Sequence, residues 1–103
     1  MAILIKTANP QELLLSIKQA MDDRRVRDWT YNPEGEFTRT QIEAESKHWL
    51  RARIVEDTLV FKLQQSCTGQ ASHATFGVYH GRFIEMLFTH FRSKISMIMI
   101  TPV

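Results

Sequence analysis

The stretch "HWLRARIVEDTLVFKLQ", residues 48–64, decides the fold. Leu50, Ala52 and Ile54 alternate with Trp49, Arg51 and Arg53, and Leu59, Phe61 and Leu63 repeat the pattern beyond Glu56-Asp57. A period of two sends successive side chains to opposite faces, so this run predicts a β-hairpin with one buried and one open face. A lone hairpin is marginal in water, and the greasy face must find more strands and a second layer.

The neighbouring segments supply both. Upstream, "DWTYNPEGEFTRT" (28–40) predicts another hairpin. Trp29 and Tyr31 share a parity, Asn32-Pro33-Glu34-Gly35 carries turn chemistry, and Phe37 lies on the returning strand. Thr40 and Glu43 in "TQIE" form a possible capping box, with a turn or two of helix to about Ser46. Downstream, "QSCTGQAS" (65–72) is small and polar and reads as a mobile loop.

Two segments have the helical period instead. In "NPQELLLSIKQAMDD" (9–23), Asn9 suits the cap, Pro10 the first helical position and Glu12 the third. Leu13, Leu14, Ile17, Ala20 and Met21 then form one stripe and Leu15 falls off it. The helix is expected to end at "RRVR" (24–27), where cations suit the carbonyl end of the helix dipole. In "FGVYHGRFIEMLFTHF" (76–91), Phe76, Phe83, Ile84, Leu87 and Phe91 cluster around His80, opposite Arg82, Glu85, Thr89 and Arg92. That helix is expected to begin between Thr75 and Val78. Gly77 and Gly81 weaken it, which points to close backbone approach by the chain's own sheet or by another chain.

The ends of the chain read as strands. "AILIKT" (2–7) is β-branched and apolar on both faces, and "KISMIMITPV" (94–103) is apolar on both faces beyond Ser96 until Pro102 ends it. The order strand, helix, two hairpins, helix, strand predicts an α+β two-layer sandwich. It has a mostly antiparallel sheet of five or six strands, two helices packed on one face, and a crossover through the second helix. All 103 residues suit one domain, with both terminal strands expected mid-sheet.

Composition narrows the function classes. Apolar residues make up 44% and charged residues 23%, ordinary for a globular chain. A net charge of +2 does not by itself demand a polyanionic partner. The sequence shows no secretory signal pattern and no apolar run near the ~20 residues that span a bilayer, so a cytoplasmic location with no membrane partner is expected. The one cysteine, Cys67, cannot form an intrachain disulfide, and with His73 nearby it lacks the third group of a catalytic set. His48, His73, His80 and His90 show no metal-ligand spacing, and no glycine loop for a phosphate is visible. No cofactor, metal or catalytic residue is therefore assigned. His80 reads as a core residue with a polar handle.

Three readings follow. Leu4, Ile98 and Ile100 are expected to share an uncovered apolar sheet face, rimmed by Trp49, Arg51 and Arg53, where a self-associating, homodimeric interaction module would meet its copy. Alternatively, Trp49, Arg51, Arg53 and Lys62 form a basic and aromatic sheet face for single-stranded nucleic acid. A third possibility is a small-molecule or enzymatic pocket lined by Trp29, Tyr31, Tyr79 and His80.

Overall fold

The computed structural model describes residues 2–39, 48–65 and 73–101. The possible capping box at Thr40–Glu43, the loop with Cys67 and the terminal Pro102 lie outside the described residues. The elements are β1 (Ala2–Lys6), α1 (Pro10–Asp22), β2 (Trp29–Tyr31), β3 (Glu36–Arg39), β4 (His48–Val55), β5 (Thr58–Gln65), α2 (His73–Phe91) and β6 (Met97–Thr101). A short 3-10 turn, Arg92–Lys94, leads from α2 toward β6. The fold is α+β, with an open six-stranded sheet in the order β2-β3-β4-β5-β1-β6, every neighbouring pair antiparallel.

The hairpin at 48–65 forms as its alternation requires. Leu50 stands opposite Leu63, Ala52 opposite Phe61 and Ile54 opposite Leu59, all on one face. β1 continues that face with Ile3 opposite Phe61 and Ile5 opposite Leu59. Ile3, Ile5, Leu50, Leu59 and Phe61 are fully buried there, under Leu13 and Ile17 of α1 and Phe83 and Leu87 of α2.

Chain topology explains why both helices share a face. β1 and β2 run parallel, as do β5 and β6, because an odd number of antiparallel strands separates each pair. The β1-α1-β2 crossover and the β5-α2-β6 crossover travel in opposite directions across the sheet, on strands of opposite sense. The two reversals cancel, so connections of the same hand lay both helices on one side.

α1 begins as its sequence demands, with the Asn9 side chain accepting from the Glu12 N–H at 3.1 Å and Pro10 in the first turn. It stops at Asp22, before the arginines. Arg24 adopts φ 62°, its N–H donates to the Met21 carbonyl at 3.1 Å, and the Arg25 N–H donates to the Ala20 carbonyl at 2.9 Å. This pair of bonds closes a helix end in the way that favours glycine at the left-handed position. The cations therefore lie beyond the helix rather than in its last turn. Arg24→Gly is expected to stabilise the fold by about 0.5–1 kcal/mol, measured as a raised urea midpoint with unchanged slope.

α2 begins at His73, earlier than the sequence suggests. Among the described residues, a side chain built at Gly77 or Gly81 would meet nothing within 4 Å, so no close approach of the described sheet to these glycines is found.

The hairpin between β2 and β3 is held by Asn32, whose side-chain oxygen accepts from the N–H groups of Glu34 and Glu36 at 3.1 and 3.0 Å. Gly35 takes the positive φ of 79° that the turn requires. Tyr31 donates to the Asp22 carboxylate at 2.9 Å, tying β2 to the end of α1. At the other side of the sheet, the Thr7 hydroxyl donates to the Lys94 carbonyl at 2.6 Å and anchors the approach to β6.

One premise of the sequence reading fails. β1 lies between β5 and β6, but β6 is an edge strand rather than a central one. A strand greasy on both faces is expected to lie mid-sheet, yet this one stands at the rim.

Candidate functional site

Register sorts the predicted interface residues onto two faces. Leu4 pairs with Met99, whereas Ile98 pairs with Ile5 and Ile100 with Ile3. Ile98 and Ile100 thus belong to the helix-covered face, and Leu4 to the open one with Trp49. The expected common patch of Leu4, Ile98 and Ile100 does not exist. Parity within one strand cannot say which of its faces matches which face of a distant strand; only register can.

Register does bring Trp49, Arg51, Arg53 and Lys62 to the same open face. Arg53, Val60, Leu4 and Met99 run side by side across the sheet, and Lys6 stands in the next row beside Met97. Arg51 lies opposite Lys62, a like-charge pair that costs stability unless relieved. Glu36 relieves it, accepting from the Arg51 guanidinium at 3.0 Å. Arg53, Lys62 and Lys6 project into solvent around the half-buried Leu4 and Val60. Trp49 is half-buried, and among the described residues its buried indole nitrogen finds no hydrogen-bond acceptor.

The edge strand is the more unusual surface. Met97, Met99 and Ile100 are 50%, 44% and 51% exposed. The Ala2 N–H donates to the Thr101 hydroxyl and the Lys6 carbonyl accepts from the Ser96 N–H, while the Thr7 N–H donates toward Asp57 beside β5. Even-numbered residues of β1 therefore turn their backbone toward β6. By alternation Met97, Met99 and Thr101 face β1, and the N–H and C=O groups of Ile98 and Ile100 point outward. Soluble proteins usually protect such an edge with lysine, proline or a bulge, and the run Met97–Thr101 has no charged residue and no proline.

The pocket suggested for Trp29, Tyr31, Tyr79 and His80 is not among the described cavities, of which one includes Trp29 without the other three. Trp29, Tyr79 and His80 are core side chains, with His80 5% exposed. Trp29 meets Tyr79 edge-on at 5.6 Å, and Tyr31 turns to Asp22 instead. Burial lowers the His80 pKa below the ordinary histidine value, so the neutral ring is favoured. Among the described residues no group of histidine, cysteine, aspartate or glutamate comes together that could hold a metal ion, and no described helix is long and apolar enough to cross a membrane.

A cleft of about 430 Å³ does open beside Trp29, between the end of the α1–β2 loop, Arg39 of β3 and the outer side of α2. Its walls carry Arg27, Asp28, Arg82 and Glu85. The sequence offers no signal for it, because Arg27, Arg39 and Arg82 come to line one cleft only once the β2–β3 register sets Trp29 opposite Arg39. Comparison of the chain with protein-family models, curated proteins and solved structures finds no match.

Proposed function

We propose that this chain is a self-associating interaction module whose copies pair through the β6 edge. The observation that carries the reading is the exposed, uncharged edge strand with outward backbone groups at Ile98 and Ile100. A two-fold axis beside Met99 would set Ile98 opposite Ile100 of the partner subunit, satisfying those outward groups and continuing the sheet from one subunit to the next. Met97 and Met99 would be covered on the open face and Ile100 on the helix face, which accounts for a rim strand that is apolar on both sides. This pairing replaces the face-to-face dimer suggested by the sequence, in which the cations of two open faces would confront one another.

Sedimentation up to high micromolar concentration is expected to show a concentration-dependent dimer. Ile100→Pro removes only an outward N–H, which an edge strand tolerates, and Ile100→Lys adds a charge at the rim. Both variants should remain folded by circular dichroism and sediment as monomers. A wild-type protein that stays monomeric throughout, or variants that dimerise equally well, would remove the reading.

A second reading, binding of single-stranded nucleic acid, is supported by the open face, where Arg53, Lys62 and Lys6 surround apolar surface near Trp49. With roughly three phosphate contacts, log affinity should fall with log salt at a slope of about −2. The double variant Arg53→Glu, Lys62→Glu should abolish binding. Absence of binding to mixed oligonucleotides at low salt would end it.

A further inference from the structure

We propose that the open sheet face, over β1 and β6, is a docking site for an acidic amphipathic helix of a partner protein. The proposal rests on neither reading above. Edge pairing uses the outward backbone of β6, whereas docking uses side chains of the open face, and its ligand is a protein rather than a nucleic acid.

Register fixes the surface. Arg53, Val60, Leu4 and Met99 form one row, with Lys62 and Ala2 side by side in the row above and Lys6 and Met97 in the row below. Same-face rows repeat about every 6.8 Å and strands about every 4.8 Å. β1 and β6 therefore carry an aliphatic strip of Ala2, Leu4, Met97 and Met99. Arg53 and Lys62 stand along one flank, on β4 and β5, and Lys6 stands at one end. Leu4 is half-buried, and the two methionines are exposed. The core residues of α1 and α2 pack on the other face, with Ile3, Ile5, Leu59 and Phe61.

Charge selects the occupant. Glu36 is the only carboxylate on the described strands, and it is paired with Arg51. Arg53, Lys62 and Lys6 make no ion pair among the described residues. A second copy would bring the same cations, so the complementary surface is acidic. The strip is five residues long on each strand, about 17 Å, which matches roughly eleven residues of helix. A helix lying along these strands would set one apolar stripe on Leu4, Met97 and Met99 and one acidic flank beside Arg53 and Lys62. Methionine side chains adapt readily to such a stripe.

The same surface is poorly suited to stacked bases. Stacking needs exposed rings. Trp49 is the one aromatic residue that the described strands set on this face, and it is half-buried, two rows from Leu4.

The test is titration of the full chain into a labelled, side-chain-stapled helical peptide of about fifteen residues, with leucines at i, i+3, i+4 and i+7 and glutamates along one flank. Saturable binding is expected below about 100 μM, with amide shifts centred on Leu4, Val60, Lys62 and Met99. The double variants Arg53→Glu, Lys62→Glu and Met97→Gln, Met99→Gln should each weaken binding about tenfold or more while remaining folded by circular dichroism. Ile100→Pro, which breaks the edge pairing, should bind the peptide as well as wild type, so loss of the dimer and loss of docking are separately visible. A peptide with lysines in place of the glutamates should not bind. No saturable binding up to about 1 mM, equal binding of the lysine peptide, or shifts centred on α1 and α2 would each overturn the proposal. Displacement of the peptide by a mixed single-stranded oligonucleotide at lower concentration would overturn it in favour of the nucleic-acid reading.

Discussion

Phe83→Ala is expected to cost about 3–5 kcal/mol, a large share of the ~5–15 kcal/mol that holds a domain of this size together. Phe83 is fully buried and joins three strands to α2 through ring contacts. Its ring centroid lies 4.5 Å from Phe61 of β5, 5.0 Å from Trp29 of β2 and 6.4 Å from Phe37 of β3. Removing the ring loses its transfer free energy and leaves a cavity that these stiff aromatic neighbours cannot collapse to fill. The melting temperature should fall by roughly 15 °C or more. Phe88, on the same helix but 53% exposed, provides the control. Phe88→Ala should change stability by no more than about 0.5 kcal/mol. Equal effects at the two positions would mean that α2 packs by a different face.

These aromatic contacts mark the boundary of what the sequence made legible. Periodicity within a segment identified the hairpin at 48–65, the stripe of α1 and the buried side of α2, because each depends on neighbours a few residues apart. The cap at Asn9 and the turn at Asn32–Gly35 were equally readable, since their hydrogen bonds close over two to four residues. Long-range register was not. Whether Leu4 faces with Met99 or with Ile98 depends on a pairing across more than ninety positions, and a shift by one residue exchanges every side chain between faces.

Strand order was hidden for a related reason. β1 and β6 have nearly the same apolar character, yet one is enclosed and the other stands at the rim. Hydrophobicity on both faces measures how much cover a strand requires, and does not say whether the chain itself or another copy supplies it. The contrast at β6 therefore connects the fold to the proposed association. The same limit explains the cleft, whose arginines come from segments of quite different local character. Arg82 and Glu85 look like ordinary solvated charges on a helix until the fold sets them on the same cleft as Arg39 of β3.

His80 separates a core role from a catalytic one by experiment. His80→Asp is expected to cost about 3 kcal/mol or more, because a short carboxylate at this buried position cannot reach water. His80→Leu, of similar bulk and no charge, should retain the fold. The wild-type protein should show the same sensitivity in titratable form. Its folded-state pKa is held below the ordinary 6.5 by burial, so between those two values the unfolded chain binds a proton that the native state refuses. Stability from this group is complete above 6.5 and declines as the pH falls toward the folded pKa, levelling off below it. Denaturant titrations across that window should show the decline in the wild type and a flatter profile in His80→Leu. An unchanged profile in that variant would assign the acid sensitivity to other groups and remove the argument that the neutral ring is part of the core.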